Sequence, residues 1–364
     1  MPNGTVVEGE WAYGLRYDPE TDEYTCDTHP HTVETGSLRI EVHKGMEFVL
    51  DSTWDGTNIP DCWWVGDERL IVYRGDTKLV EIDERNRWND SVTLRFDTTF
   101  PRHPENFPVV VNDNEYVDWQ VEGASYIPIP PEYDVTGDGS PNLVVGGWTG
   151  GAHCCKLYYV LDVGETPRLV DVISTEHSDI AHFYKFEDTP GLTLLANDWN
   201  YAYWNTCFAC IPAPIVYLSF DPERDEFVIN TDKMKSTVPE QETLDEWVEE
   251  IQRYWEHRPE LLWTYMLELI YTGNLDAAKE LMDRAWPSKA KMKIPFLDDS
   301  IIQHVFEKTA LYPTSKDEFW HGLLEKIAES QFTEEIFLMN APSLCSLGPL
   351  LSLPNLERHL CGET

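Results

Sequence analysis

The residues best suited to chemistry lie in one short segment, Asp134-x-Thr136-x-Asp138-Gly139-Ser140-x-Asn142. Side-chain oxygens recur at its positions one, three, five and nine, and the Ser140 carbonyl at position seven completes a set. Gly137 and Gly139 let the backbone curl so that these oxygens converge. Ca²⁺ takes about six to eight hard oxygen ligands, so the pattern points to calcium. An EF-hand would need an acidic residue at position twelve, where Val145 stands. The segment also runs into the apolar stretch Leu143-Val144-Val145 instead of a helix. The competing reading is an Asp-Gly turn without a metal.

A second candidate is a pair of cysteine loops, His153-Cys154-Cys155 and Cys207-Phe208-Ala209-Cys210. Disulfides, buried thiols or a zinc site are all compatible with these residues. Adjacent cysteines chelate one ion poorly, which favours disulfides over zinc. Cys26-Asp27-Thr28-His29-Pro30-His31 gathers further ligand types, and Cys26 with Cys62 is a candidate disulfide. Trp199, Tyr201, Tyr203 and Trp204 form an aromatic loop. It reads either as a binding surface for protein or carbohydrate, or as core packing. No serine-hydrolase elbow, phosphate loop, zinc-protease helix or dinucleotide fingerprint occurs.

The elements that must position these residues fall into three regions. Residues 1–125 are a β-rich region of short alternating runs, such as Ser37–His43, Glu68–Arg74, Lys78–Ile82 and Ser91–Phe96. Residues 126–235 contain two similar segments. In each, an acidic turn leads into an apolar strand, a Trp, a Cys-containing loop and an aromatic strand. Residues 236–364 are helical, with expected helices near 242–255, 259–271, 273–286, 298–308, 316–330 and 333–340. The two around Gly273 make a tetratricopeptide-like hairpin. The fold class expected is α+β, with blade-like units that make a partial or degenerate propeller, and a full one only if the N-terminal strands supply further blades.

The Asp134–Asn142 segment resembles the FG-GAP repeat, the calcium-loop blade unit of integrin α-subunits and of many bacterial secreted proteins. The resemblance implies calcium held by Asp134, Thr136, Asp138, Ser140 and Asn142. Thr136 and Asn142 stand where acidic residues or Asn, and Asp, are usual, so the carboxylate count is low. Gly150-Gly151-Ala152-His153-Cys154-Cys155, with Tyr201–Trp204 and Pro212-Ala213-Pro214, also resembles an uncharacterised bacterial group with one such loop and a helical tail.

Sixty-five Asp and Glu face 27 Lys and Arg, a formal net charge of −38. Such a chain repels nucleic acid and anionic membranes and attracts cations and basic partners. No apolar run is long enough for a transmembrane helix, and Met1–Thr5 does not read as a signal peptide. Paired cysteines and the calcium resemblance nevertheless favour a periplasmic or secreted location. The expected function is a non-catalytic, calcium-stabilised binding or assembly protein with a protein partner. The alternative is a metal-dependent hydrolase acting on a glycan or phosphate ester.

Overall fold

A computed structural model describes residues 15–18, 23–26, 30–52, 58–83, 95–96, 124–126, 129, 132–149, 155–177, 181–206, 208–287 and 315–346. The chain forms two compact units. The first comprises Met1–His177, Phe183–Leu192 and Pro222–Glu226; the second comprises Ser178–His182, Thr193–Asp221 and Phe227–Thr364. Antiparallel sheets and helices together give an α+β protein.

The first unit begins with the antiparallel pair β1 (Leu15–Asp18) and β2 (Glu23–Cys26). A meander follows, made of β3 (His31–Thr35), β4 (Leu38–Ser52), β5 (Asn58–Arg74) and β6 (Thr77–Asp83). Its alternation is what a half-buried strand demands: Leu38, Ile40 and Val42 are buried, while Arg39 and Glu41 between them are only partly so. β4 and β5 extend well beyond the alternating runs, with register shifts on either side of Lys44-Gly45 that absorb the irregular stretch.

A further sheet is ordered β11-β10-β9-β7, with β7 at Arg95–Phe96, β9 at Asn142–Trp148, β10 at Lys156–Asp162 and β11 at Arg168–Glu176. β8 (Ala124–Tyr126) pairs with β12 (His182–Phe186). Leu38, Ile40, Val42, Leu70 and Val72 of the meander join Leu143, Val145, Leu157, Tyr159 and Leu161 of β9 and β10 in one apolar core. Burial of that core is the main force organising this unit.

In the second unit β13 (Thr193–Asn197) pairs antiparallel with β14 (Ile215–Asp221), and β15 (Glu226–Ile229) follows beside β14. The helices are α1 (Thr231–Met234), α2 (Gln241–Tyr254), α3 (Glu260–Tyr271), α4 (Leu275–Ala285), α5 (Lys316–Ala328), α6 (Thr333–Met339) and α7 (Ala341–Ser346). α3 is buried nearly all round, through Leu261, Leu262, Trp263, Met266, Leu267, Leu269, Ile270 and Tyr271. Such a helix is central to its neighbours. α4 buries the single stripe Leu275, Ala278, Leu281, Met282 and Ala285. Ser315 caps α5, its hydroxyl accepting from Glu318 N at 3.1 Å. The expected helix at 298–308 lies outside the described residues. No helix among the described residues is long and apolar enough to cross a membrane.

Candidate functional site

The acidic loop joins Tyr133 to the start of β9. Gly137 and Gly139 have φ of +79° and +89°, the left-handed region that the tight curl requires. Asp134 organises the turn from within. Its Oδ1 accepts from Gly137 N at 2.6 Å and its Oδ2 from Gly139 N at 3.0 Å. Asp138 Oδ1 accepts from Ser140 N at 2.8 Å. Asn142 Oδ1 takes Val135 N at 2.7 Å, Thr136 N at 3.1 Å and the Thr136 hydroxyl at 3.3 Å. Asn142 is 1% exposed.

A neighbouring turn clasps this loop. A Cβ on Gly137 would lie 2.3 Å from Gly191 N, and one on Gly191 would lie 2.3 Å from the Val135 carbonyl. Leu192 N donates to that same carbonyl at 2.8 Å. The clasping turn is itself held by Lys185, whose Nζ donates to the carbonyls of Thr189, Pro190 and Gly191 at 2.5, 2.7 and 3.0 Å.

Asp162, at the end of β10 opposite Asn142, belongs to the same neighbourhood. Its Oδ1 accepts from the Ser140 hydroxyl at 2.8 Å and from Gly164 N at 2.7 Å. Sequence reasoning missed Asp162, because only the antiparallel register of β9 and β10 brings it beside position nine of the loop.

Position nine does not fit a metal ligand. A carbonyl oxygen offers two lone pairs, and the Asn142 oxygen already faces two backbone N–H groups. Reversing the amide would set its NH₂ against those same donors. The remaining atom, Nδ2, is buried and meets no hydrogen-bond acceptor among the described residues. An amide nitrogen that carries two protons does not ligate a cation. Among the described residues no group of three His, Cys, Asp or Glu is arranged to hold a metal ion.

The aromatic loop after β13 is divided by the fold. Tyr201 is fully buried, its hydroxyl 2.9 Å from that of Tyr271. Trp204 packs edge-on against Trp263, with ring centroids 6.2 Å apart, and tilted against Phe319 at 5.7 Å. Tyr201 is thus a core residue, which corrects its assignment to a binding surface, whereas Trp204 is half-buried against the rings on α3 and α5. Tyr203 points the other way and is 57% exposed. Its ring lies 5.4 Å from Phe208, which stacks on Trp199 at 5.2 Å and 26°. Tyr203 also has φ of +60°, a strained conformation for a bulky side chain.

The loop is anchored beneath this platform. Asp198, 2% exposed, accepts from the Tyr271 hydroxyl. It also accepts from Ser330 Oγ at 2.6 Å and from Asn200 N at 2.9 Å. Burial holds the Tyr201 and Tyr271 hydroxyls well above their ordinary range, and the nearby Asp198 charge acts in the same direction.

Cys26, Cys155, Cys210 and Cys345 are disulfide-bonded. Cys62 takes its place in β5 opposite Phe48, and β2, which ends at Cys26, lies beside β5. His153, Cys154, Cys207 and His29 lie outside the described residues.

No protein-family model matches the chain, and neither a curated protein nor a solved structure matches it. The likeness to FG-GAP loops therefore rests on the loop residues themselves.

Proposed function

We infer that this is a non-catalytic binding or assembly protein that recognises a basic segment of a protein partner on the Trp199–Phe208–Tyr203 platform. One observation carries this reading: Tyr203 combines 57% exposure with a left-handed backbone. Such strain costs of order 1–3 kcal/mol and persists where the surroundings over-determine it, commonly at binding sites. Stacked rings offer contact area at low entropic cost. The net charge of −38 selects a cationic partner, whose Lys or Arg side chains also suit aromatic faces. The disulfide-bonded cysteines support an oxidising compartment, periplasmic or secreted.

The test uses the full chain and immobilised peptides in three sets: Lys/Arg-rich with aromatic residues, neutral and acidic. Salt-sensitive binding confined to the basic set, lost in Tyr203→Gly, is expected. The same variant should melt no lower than the parent, because glycine relieves the backbone strain. Binding that ignores peptide charge or survives the substitution would sink the reading. So would turnover of chromogenic glycosides or phosphate esters by the purified protein, which favours the hydrolase class instead.

A further inference from the structure

We propose that the Asp134–Asn142 loop is a metal-independent form of the calcium loop it resembles, closed by the Asn142 amide and a clasping turn where such loops use a cation. The expectation of bound calcium follows from residue types at their spacing. The geometry assigns those residues other work.

Three observations converge. First, Asn142 joins the two ends of the loop directly, through bonds of 2.7 and 3.1 Å to Val135 N and Thr136 N. A metal held at positions one, three and nine would draw the same ends together. An aspartate here would keep one oxygen for those N–H groups and place its second oxygen where Asn142 has Nδ2, adding an oxygen able to ligate. Asn142 instead presents Nδ2, a donor, which repels a cation.

Second, the loop is clasped from outside. The Gly137–Gly191 approach leaves no room for a Cβ on either residue. The Leu192 N to Val135 O bond of 2.8 Å fixes position two of the loop. Lys185 secures the clasping turn through three carbonyls. The curl is thus imposed by neighbouring backbone.

Third, the protein brings its own positive charge. Arg168 pairs with Asp225 through bonds of 2.7 and 2.5 Å. Its guanidinium is held in the charged form chiefly by Asp225; partial burial opposes this, and Asp162 and Asp138 add to it. Arg168 opens β11 and stands opposite Asp162 in the β10–β11 register, which sets a fixed cation on the strand beside that carboxylate. The loop's own carboxylates are two, Asp134 and Asp138, and both already accept bonds from loop N–H groups, which leaves little negative charge for calcium.

The decisive experiment compares melting of the full chain in millimolar CaCl₂ and in EDTA, for the parent and for Asn142→Asp. The parent should melt at the same temperature in both. Asn142→Asp should melt lower in EDTA and recover by several degrees in calcium, because a second oxygen now faces the loop. A calcium-dependent rise in the parent that Asp134→Ala abolishes would overturn the proposal. A rise that persists in Asp134→Ala assigns the ion to another site and leaves the proposal standing. A folded Asn142→Asp protein that ignores calcium would refute the role given to Asn142. Should that variant fail to fold in either buffer, the parent's response, read with and without Asp134→Ala, decides.

Discussion

The Tyr271 hydroxyl, at the end of α3, donates to the carboxylate of Asp198, at the start of the aromatic loop. One buried carboxylate thereby ties the loop to α3 and, through Ser330, to the segment after α5. Tyr203, exposed in the same loop, thereby inherits a fixed base.

Removing the Tyr271 hydroxyl leaves Asp198 short of a donor and Tyr201 short of a partner. Tyr271→Phe should destabilise the protein by about 1–3 kcal/mol, the usual cost of an unsatisfied buried group. Urea unfolding followed by tryptophan fluorescence measures it.

The same pair sets an alkaline limit. Tyr201 and Tyr271 have folded pKa values raised well above 10.0. Below that pH both folded and unfolded chains carry protonated phenols, and the full stabilisation is present. Above it the unfolded chain ionises first, so stability falls as pH rises. Denaturant midpoints measured from neutral pH upward should fall beyond about pH 10. Tyr271→Phe should flatten the slope.

On the acid side, Glu132 is the reporter in the first unit. Partial burial raises its pKa, but bonds from Ser37 and Arg74, the latter at 2.6 Å, outweigh this and leave it below 4.5. A depressed carboxylate stabilises above its unfolded value and loses that contribution as pH falls through the folded one. Its partial exposure keeps the effect below about 1 kcal/mol. Glu132→Gln should match that small loss at neutral pH and reduce the acid dependence of the denaturant midpoint below about pH 4.5.

Asn340 closes the helical hairpin. Its Oδ1 accepts from Leu275 N at 3.0 Å, and its Nδ2 donates to Ile270 O and Ile336 O, each at 2.8 Å. It satisfies the end of α3 and the start of α4 together. Asn340→Ala should cost roughly 2–3 kcal/mol, since several buried groups lose partners. Thermal unfolding of the two proteins under one buffer provides the check.

Local periodicity made much of this legible. Leu38, Ile40 and Val42 announced a strand face, the Leu275–Ala285 stripe a helix, and the glycines at 137 and 139 a tight loop. What stayed hidden depends on residues distant in sequence. Nothing near Tyr201 or Tyr203 in the chain says which ring turns inward; the hydroxyl of Tyr271 and the rings of Trp263 and Phe319 decide it. Asn142 read as an oxygen ligand because its type allows that, whereas its orientation is set by two backbone donors. The bond from Ser140 to Asp162 likewise appears only once β9 and β10 are in register. The long extensions of β4 and β5 escaped notice because their bulged register breaks the period-two pattern.

The close approach of Gly137 and Gly191 also bears on how this chain can evolve. A first side-chain carbon on Gly137 would collide with the backbone of Gly191, and one on Gly191 with the backbone of Val135 and Thr136 just ahead of Gly137. Neither position can drift alone, and no order of single substitutions opens the gap, since the first step already collides with peptide backbone. Descendant sequences should therefore keep both glycines, or lose them together through an insertion or deletion that moves one strand of the clasp away. Within this protein the pair behaves as one inherited character written at two places in the chain.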